Sequence, residues 1–251
     1  MTRLDGYVEF EFDLPEALLS HLVSVFDALP GASLIPENVE VLPEAQGVYQ
    51  LLLGGQVVYI GKTDAEAGLR NRLDRHAKSI QHRLNLDPTE VTFRAVRVFV
   101  FTAVDLETQL IKHYGSAVWN FSGFGSNDPG RNRDSTRLKP QGFDATYPID
   151  IDRMLHIDWP ESLTAAQIVK TLKSALPYTF RYELRPGGRK IHPDFEAATV
   201  TISPGPHSVR ELVDAVIRSL PSGWQATALP SRVIIYRESV DYQYGDLIAK
   251  S

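Results

Sequence analysis

Two short apolar runs that lie close together in the chain predict a β-hairpin. GVYQLLL covers residues 47–53 and VVYIG covers residues 57–61. Gly54 and Gly55 lie between them, and glycines in this position favour the tight turn that joins antiparallel strands. Because side chains alternate along a strand, the hairpin should place Tyr49 and Tyr59 near one face of the sheet.

The residues after the hairpin follow a helical period. In residues 64–84, Leu69, Leu73, Ala77 and Ile80 recur at helical spacing, which sets Arg72 and His76 one turn apart on a neighbouring stripe. FRAVRVFVF, residues 93–101, alternates and predicts a third strand. VDLETQLIKHYG, residues 104–115, then predicts a helix with Glu107 in its first turn.

Another helix is predicted before the hairpin. PEALLSHLVSVFDALP, residues 15–30, has an apolar stripe and stops at Pro30, because proline interrupts a helix. This helix should pack one face onto the predicted sheet and form an N-terminal extension.

An internal repeat offset by 44 residues marks the last part of the chain. Thr164 with Gln167, and Ser208 with Glu211, have the spacing of capping boxes. Each box opens a predicted helix that ends in Leu-Pro, at residues 176–177 and 220–221, and strand-like segments flank both helices. We expect two strand-helix-strand units in a small α+β domain of their own.

The composition of the chain excludes several kinds of site. The chain has 251 residues, of which 43% are hydrophobic and 23% charged, and it contains no cysteine. Disulfides, thiolate metal sites and a redox-active thiol are therefore excluded. The first residues have neither a basic start nor an apolar core, and no apolar run approaches about 18 residues, so we expect a cytoplasmic protein without a membrane partner.

The net charge of −5 is distributed unevenly. Residues 1–60 contain one basic and nine acidic residues. Residues 61–140 contain thirteen basic and nine acidic residues, and residues 141–251 contain twelve basic and thirteen acidic residues. The positive excess thus falls in the middle segment, and phosphate neutralisation acts locally at physiological salt. Chance is the alternative explanation, because an excess of four charges is only mildly basic.

The strings GVY and VYIG, followed in order by Arg72, His76, Glu107 and Asn120, resemble the signature of the GIY-YIG nuclease superfamily, with Val48 in place of the usual Ile. Together with the GFGSNDPGRNRD loop they resemble its restriction-endonuclease branch, including the type II isoschizomers of SacII, which cut CCGCGG. The resemblance implies an α+β nuclease domain, with a three-stranded antiparallel sheet flanked by helices. We therefore expect an N-terminal extension at 1–46, the nuclease domain at 47–145 and a C-terminal α+β domain at 146–251.

The resemblance also implies an activity and a catalytic set. The expected reaction is Mg²⁺-dependent (or Mn²⁺-dependent) hydrolysis of double-stranded DNA to 5′-phosphate and 3′-hydroxyl ends, with Glu107 as the metal ligand. A single carboxylate suits Mg²⁺, which keeps most of its waters. The full candidate catalytic set is Tyr49, Tyr59, Lys62, Arg72, His76, Glu107 and Asn120.

Each member of the set has a proposed role and an ordinary alternative. Tyr49 would accept a proton from water, with a nearby Lys62 favouring its phenolate. Arg72 and His76 would bind the scissile phosphate, Tyr59 would contact the phosphate or the water, and Asn120 would orient its neighbours. Alternatively, the tyrosines pack the sheet, the helix cations are solvated, and Glu107 complements the helix dipole.

Two basic segments are candidates for DNA contact. The turn-rich loop at residues 124–139 and the predicted hairpin at residues 178–193 carry the candidates Arg131, Arg133, Arg137, Lys139, Arg185, Arg189 and Lys190. A disordered loop and a hairpin charged for solubility are the alternatives.

Three functions remain open from the sequence. The expected function is a restriction or phage-defence endonuclease. A repair or mobile-element nuclease and an inactive DNA-binding or partner-binding module are the others. The chain could form a homodimer on a palindromic site, or bind a partner subunit through its C-terminal domain.

Overall fold

The computed structural model describes residues 6–7, 13–99, 106–115, 117–126, 130–135 and 138–251, except for the side chains of residues 132 and 133. Its contacts divide the chain into two compact units. The first comprises Met1–Asp74 and Thr89–Val118, and the second comprises Arg75–Pro88 and Trp119–Ser251. This division differs from the boundary at 145/146 expected from the sequence, because residues 75–88 and 119–145 group with the second unit.

The first unit is built on an antiparallel sheet. Its strands are β1 (Ala32–Ser33), β2 (Gly47–Leu53), β3 (Gln56–Thr63) and β4 (Val91–Arg97), in the order β1-β4-β2-β3. The predicted hairpin of β2 and β3 is confirmed, and Gly54 and Gly55 turn the chain with φ of 57° and 82°. The predicted three-stranded sheet gains β1 as a fourth strand, too short to give an alternating pattern. Residues 100 and 101, at the end of the third predicted strand, lie outside the described residues.

Helices cover both faces of this sheet. They are α1 (Leu14–Ala28), α2 (Pro36–Glu40), α3 (Leu69–Ser79) and α4 (Leu106–Tyr114). Residues of α1 and α4, such as Phe26 and Leu110, share a core with Val48 and Ile60, so these two helices pack on one face. A Cβ built on Gly47 would lie 2.8 Å from the Leu69 side chain, so α3 packs close to that strand.

Helix α3 begins later than its apolar pattern suggests. The Asp64 carboxylate accepts the Ala67 N–H at 2.7 Å, and Gly68 has a φ of 64°. Together these residues make a turn, so the regular helix starts only at Leu69. The division between the two units falls within α3.

The second unit combines short strands with helices. Its elements in chain order are α5 (Phe143–Thr146), β5 (Met154–Leu155), β6 (Ser162–Thr164), α6 (Ala165–Ala175), β7 (Thr179–Tyr182), α7 (Pro193–Ala197), β8 (Thr199–Thr201), β9 (His207–Ser208), α8 (Val209–Ser219), β10 (Gln225–Leu229), β11 (Arg232–Tyr236) and β12 (Asp246–Lys250). Four strands form a sheet in the order β12-β10-β11-β7. Strand β7 is parallel to β11, and the other pairs are antiparallel.

The two copies of the internal repeat pair their short strands with each other. Helices α6 and α8 both begin with capping boxes, at Thr164 and Ser208, and both have a leucine C-cap. Strand β5 of the first repeat pairs with β9 of the second, while β6 of the first pairs with β8 of the second. Each repeat therefore completes a two-stranded sheet of the other.

The chain reverses within residues 178–193 as predicted, but one isolated bridge closes the reversal instead of two paired strands. Strand β7 pairs with β11, and the returning arm makes one isolated bridge, between Leu184 and Ile191. The Arg185 N–H donates to the Lys190 carbonyl at 2.9 Å, which closes a short loop. The chain then enters α7. None of the helices among the described residues combines the length and apolar character needed to cross a membrane.

Candidate active site

Two tyrosines form the centre of the candidate site in the first unit. Tyr49 pairs with Gly61 across the β2–β3 ladder, and Tyr59 pairs with Leu51. Directly paired residues, and residues two apart, share a face, so both tyrosines lie on the same face. The sequence predicts this shared face. The ring centroids are 6.1 Å apart and both side chains are buried.

Gly61 leaves the space that the Tyr49 ring occupies. A Cβ built on Gly61 would contact the Tyr49 hydroxyl oxygen and lie 2.5 Å from its Cζ atom. Real side chains do not approach this closely, so any larger residue would displace the ring. The glycine of the VYIG string is therefore required by the position of the paired tyrosine.

Arg72 on α3 is the cation beside the tyrosines. Its side chain hydrogen bonds to the Tyr49 hydroxyl. Burial raises the pKa of Tyr49 well above its usual range, Tyr59 raises it further, and Arg72 opposes the rise. The expectation of a favoured phenolate is therefore wrong, because burial outweighs the nearby positive charge.

Lys62 is associated with Glu107 instead. Lys62 follows Gly61 along β3, and alternation places it on the opposite face from the tyrosines. Its Nζ atom lies 3.8 Å from Glu107 Oε2, in the first turn of α4. Strand β3 is at the edge of the sheet, so Tyr59 and Lys62 lie on the two faces of this edge strand, while Tyr49 lies on the neighbouring strand β2.

Glu107 is compatible with a divalent cation. Its side chain is partly exposed, so its carboxylate can be reached from solvent. Among the described residues, no three His, Asp or Glu side chains are grouped as a metal site. A lone carboxylate fits Mg²⁺, which is commonly held by one or two carboxylates and retains several waters.

His76 and Asn120, the other two members of the predicted set, belong to the second unit. His76 is fully buried, and its ring stacks on Phe124 with centroids 4.8 Å apart. Asn120 lies in a 3-10 helix at Val118–Phe121 and is half-buried. The first unit thus brings together Tyr49, Tyr59 and Arg72.

One segment of the chain matches a family model. Residues 54–145 match the family model of the Eco29kI GIY-YIG domain. The matched segment includes every member of the candidate set except Tyr49, and it covers less than half of the chain. It supports a GIY-YIG domain of the restriction-endonuclease type, and hence a nuclease. No curated protein matches the chain.

The residues of the GIY-YIG segment that were predicted to contact DNA differ from one another in their surroundings. Arg131 forms ion pairs with Glu238 at 2.7 Å and with Glu183 at 3.3 Å, and its guanidinium lies 4.0 Å from the centroid of the Tyr236 ring. Lys139 is exposed. Arg137 and the side chain of Arg133 lie outside the described residues.

The candidates beyond the GIY-YIG segment also differ. Arg185 pairs with Glu196 at 2.8 Å and donates to the Ile191 carbonyl. Arg189 and Lys190 are exposed in the loop closed by the Leu184–Ile191 bridge. Among the described candidates in the second unit, Lys139, Arg189 and Lys190 are therefore the ones best placed to meet a phosphate.

A buried carboxylate that was not predicted from the sequence holds the basic loop. Asp134, in the GIY-YIG segment, accepts hydrogen bonds from Arg181 at 2.8 Å, Arg232 at 3.1 Å and Tyr236 at 3.1 Å. Its side chain is only 3% exposed. Burial and Asp134 together raise the pKa of Tyr236 to about 12. The sequence offers no local signal, because each partner is at least 47 residues away.

Proposed function

We propose that this protein is a Mg²⁺-dependent (or Mn²⁺-dependent) endonuclease that cuts double-stranded DNA, leaves 5′-phosphate and 3′-hydroxyl ends, and acts in restriction or phage defence. The observation that carries the proposal is the cluster of Tyr49, Tyr59 and Arg72 on one sheet face. The GIY-YIG match of residues 54–145 supports it independently.

Arg72 has the chemistry to bind the scissile phosphate. A guanidinium is always charged and offers several donors in a fork that fits phosphate oxygens. Its hydrogen bond to Tyr49 would hold this fork next to the phenol. Phosphate neutralisation at this position lowers the barrier to attack by water, because negative charge accumulates on the phosphoryl oxygens.

Tyr49 is the proposed partner of the attacking water. Its pKa is raised, so Tyr49 is a neutral phenol at pH 7 that can hydrogen bond to a water. To accept the proton it must first become a phenolate, which additional positive charge near the hydroxyl would favour. Tyr59 is the second hydroxyl on this face and would contact the water or the phosphate.

Glu107 is the residue that would hold the divalent cation. When bound, the cation supplies positive charge that stabilises the leaving 3′ oxygen. Lys62, 3.8 Å from the same carboxylate, would add a positive charge at the edge of the sheet. His76 and Asn120 are proposed to bond the phosphate and to orient the neighbouring groups.

The second unit would supply DNA contacts beyond the cut. Lys139, Arg189 and Lys190 are proposed to meet the DNA backbone. Binding as a homodimer on a palindrome, or with a partner subunit, would add specificity. The resemblance to isoschizomers of SacII makes CCGCGG the first target sequence to test. We place the enzyme in the cytoplasm.

Digestion of a sequenced plasmid tests this function. We expect discrete products in Mg²⁺ and none in EDTA, with mapped ends carrying 5′-phosphates at one short sequence. The control is the Glu107→Ala protein prepared identically. Cutting confined to branched or damaged DNA would favour a repair or mobile-element nuclease. Binding without cutting in Mg²⁺ and Mn²⁺ would favour an inactive module.

A further inference from the structure

A basic cavity lies entirely within the second unit. Its volume is about 420 Å³, within the range of small-molecule sites. Five parts of the chain line it, and the residues used below are Arg75, Lys78, Arg83, Phe124, Asp144 and Arg232. Because these segments are far apart in sequence, the cavity is a product of the tertiary fold.

Positive charge predominates among the described residues that line this cavity. Arg75, Lys78, Arg83 and Arg232 are cationic, whereas Asp144 is the one carboxylate. Such a cavity favours an anion over a cation or a neutral ligand, because partial burial weakens solvent screening. A phosphate is the anion that clustered arginine and lysine side chains most often bind.

Two of the cations are fixed in the wall. Arg83 donates to Asp144 Oδ1 at 2.9 Å and to the Tyr147 carbonyl at 2.8 Å. Arg232 donates to Asp134 at 3.1 Å and to the Ser231 hydroxyl. Both side chains are buried. Their positions are therefore set before any ligand binds, which reduces the entropy cost of binding.

The other two cations are exposed at the cavity. Arg75 and Lys78 lie three residues apart on α3, a spacing that places both on one side of a helix. Arg75 Nη2 donates to the Gly125 carbonyl at 3.3 Å. Long exposed side chains can reorient to follow a phosphate.

An apolar surface accompanies the charges. Phe124 and Phe143 are in contact, with ring centroids 4.6 Å apart and ring planes tilted by 56°, and Leu176 and Pro177 also line the cavity. Gly123, at the rim, has a φ of 89°, and a Cβ added to it would meet open space. A ligand with a phosphate next to a sugar or a base would contact both the cationic and the apolar side chains of the cavity, whereas a bare anion would contact only the cations.

We propose that this cavity binds one nucleotide of a DNA strand through its phosphate, at a site separate from the scissile phosphate. The proposal rests on the proposed function for its choice of DNA. The same phosphate-and-sugar chemistry could come from a free nucleotide, and the experiment below distinguishes the two sources.

The test measures binding without catalysis. A labelled duplex of mixed sequence is titrated with the full chain in EDTA by fluorescence anisotropy, at several salt concentrations. The test protein is Arg75→Gln/Lys78→Gln. The matched control is Lys170→Gln/Arg218→Gln, which removes the same charge from exposed helix positions in this unit that do not line the cavity. Circular dichroism establishes that both proteins are folded.

We expect the test protein to bind duplex DNA about tenfold more weakly than the wild type at 100 mM salt. Its salt slope should fall by about one, because the proposed site neutralises one phosphate and each lost phosphate contact removes roughly one released counterion. The control should stay within about twofold. A folded test protein with an unchanged salt slope would overturn the proposal.

A second titration, with deoxycytidine 5′-monophosphate and with inorganic phosphate, identifies the source of the ligand. Weakening of duplex binding with no measurable mononucleotide binding supports a DNA strand. If the test protein lost binding of the mononucleotide but bound duplex DNA as the wild type does, the DNA assignment would be overturned in favour of a free nucleotide. Since no step requires cleavage, a chain that binds as expected but never cuts DNA would refute the proposed nuclease function alone.

Discussion

Lys62 Nζ lies 3.8 Å from Glu107 Oε2 at the edge strand of the first sheet, with side-chain exposures of 49% and 26%. Exposed ion pairs of this kind contribute only about 0–1 kcal/mol to stability. The pair therefore has little structural value. Its interest lies in placing a reachable carboxylate beside a cation, at the strand that also carries Tyr59.

Replacing Glu107 tests the metal assignment. We expect Glu107→Ala to lose cleavage in Mg²⁺ while duplex binding in Ca²⁺ stays within about threefold, because the substitution removes the proposed metal ligand but no cationic side chain. Cleavage assays and anisotropy measure the two effects. Glu44→Ala, which breaks the exposed Arg70–Glu44 pair in the same unit, is the control. Full cleavage by Glu107→Ala would contradict the assignment.

Tyr49 predicts a pH dependence. Its pKa is raised, so the phenolate fraction, and with it kcat/KM, should rise about tenfold per pH unit from pH 7 to pH 10 if Tyr49 is the base. Tyr49→Phe should lower the rate by about 10²- to 10⁴-fold and flatten the profile. Tyr114→Phe, whose hydroxyl bonds Asp27, should keep the wild-type profile. A wild-type rate for Tyr49→Phe would move the base to His76 or to a metal-bound water.

Gly61→Ala tests the space beneath the Tyr49 ring. The new Cβ would overlap the ring, so we expect a loss of about 1–3 kcal/mol in the free energy of unfolding and a displaced, inactive Tyr49. Denaturant unfolding and cleavage assays report the two effects. The control is Gly188→Ala, whose new Cβ would lie 3.6 Å from the Arg185 carbonyl oxygen, an ordinary contact distance. An active, equally stable Gly61→Ala protein would show that the ring can shift without consequence.

Features set by short stretches of sequence could be predicted. The Gly54–Gly55 hairpin and the capping boxes at Thr164 and Ser208 depend on residues within a few positions of one another. The shared sheet face of Tyr49 and Tyr59 could be predicted from strand alternation alone. Once the hairpin register is known, Gly61 is recognised as the partner of Tyr49.

Features set by distant contacts could not be predicted. Asp134 has a charged sequence neighbourhood that suggests an exposed loop, yet its partners are 47, 98 and 102 residues away. For the same reason the pairing of β7 with β11 could not be predicted, and the predicted hairpin at residues 178–193 is reduced to the isolated Leu184–Ile191 bridge. The division of the chain likewise depends on contacts between distant segments.

Asp134 makes a testable contribution to stability. Asp134→Ala would leave the buried Arg232 guanidinium without its carboxylate, which we expect to cost about 3–5 kcal/mol in the free energy of unfolding. Asp214→Ala removes a carboxylate from the exposed Arg218 pair and should cost no more than about 1 kcal/mol. Urea denaturation compares the two. Equal stability of both variants would mean that the Asp134 network has no net structural value.

A fragment that ends at Phe143 tests the division of the chain. Arg83 donates to Asp144 and to the Tyr147 carbonyl, and the Leu84 N–H donates to the Pro148 carbonyl at 2.8 Å. The fragment keeps both donors but removes all three acceptors, so we expect it to aggregate on expression because a compact unit is cut through. Gel filtration and near-ultraviolet circular dichroism would detect this.

The matched control is the full chain carrying a protease site between Gly187 and Gly188, both exposed in a loop where a Cβ would meet no close contact. After cleavage, both pieces should stay associated and folded, because the cut interrupts no strand or helix. If the fragment ending at Phe143 were instead soluble and unfolded cooperatively, the first unit would have to extend to about residue 145. In that case the contacts of residues 75–88 and 119–143 with the rest of the second unit would be dispensable for folding.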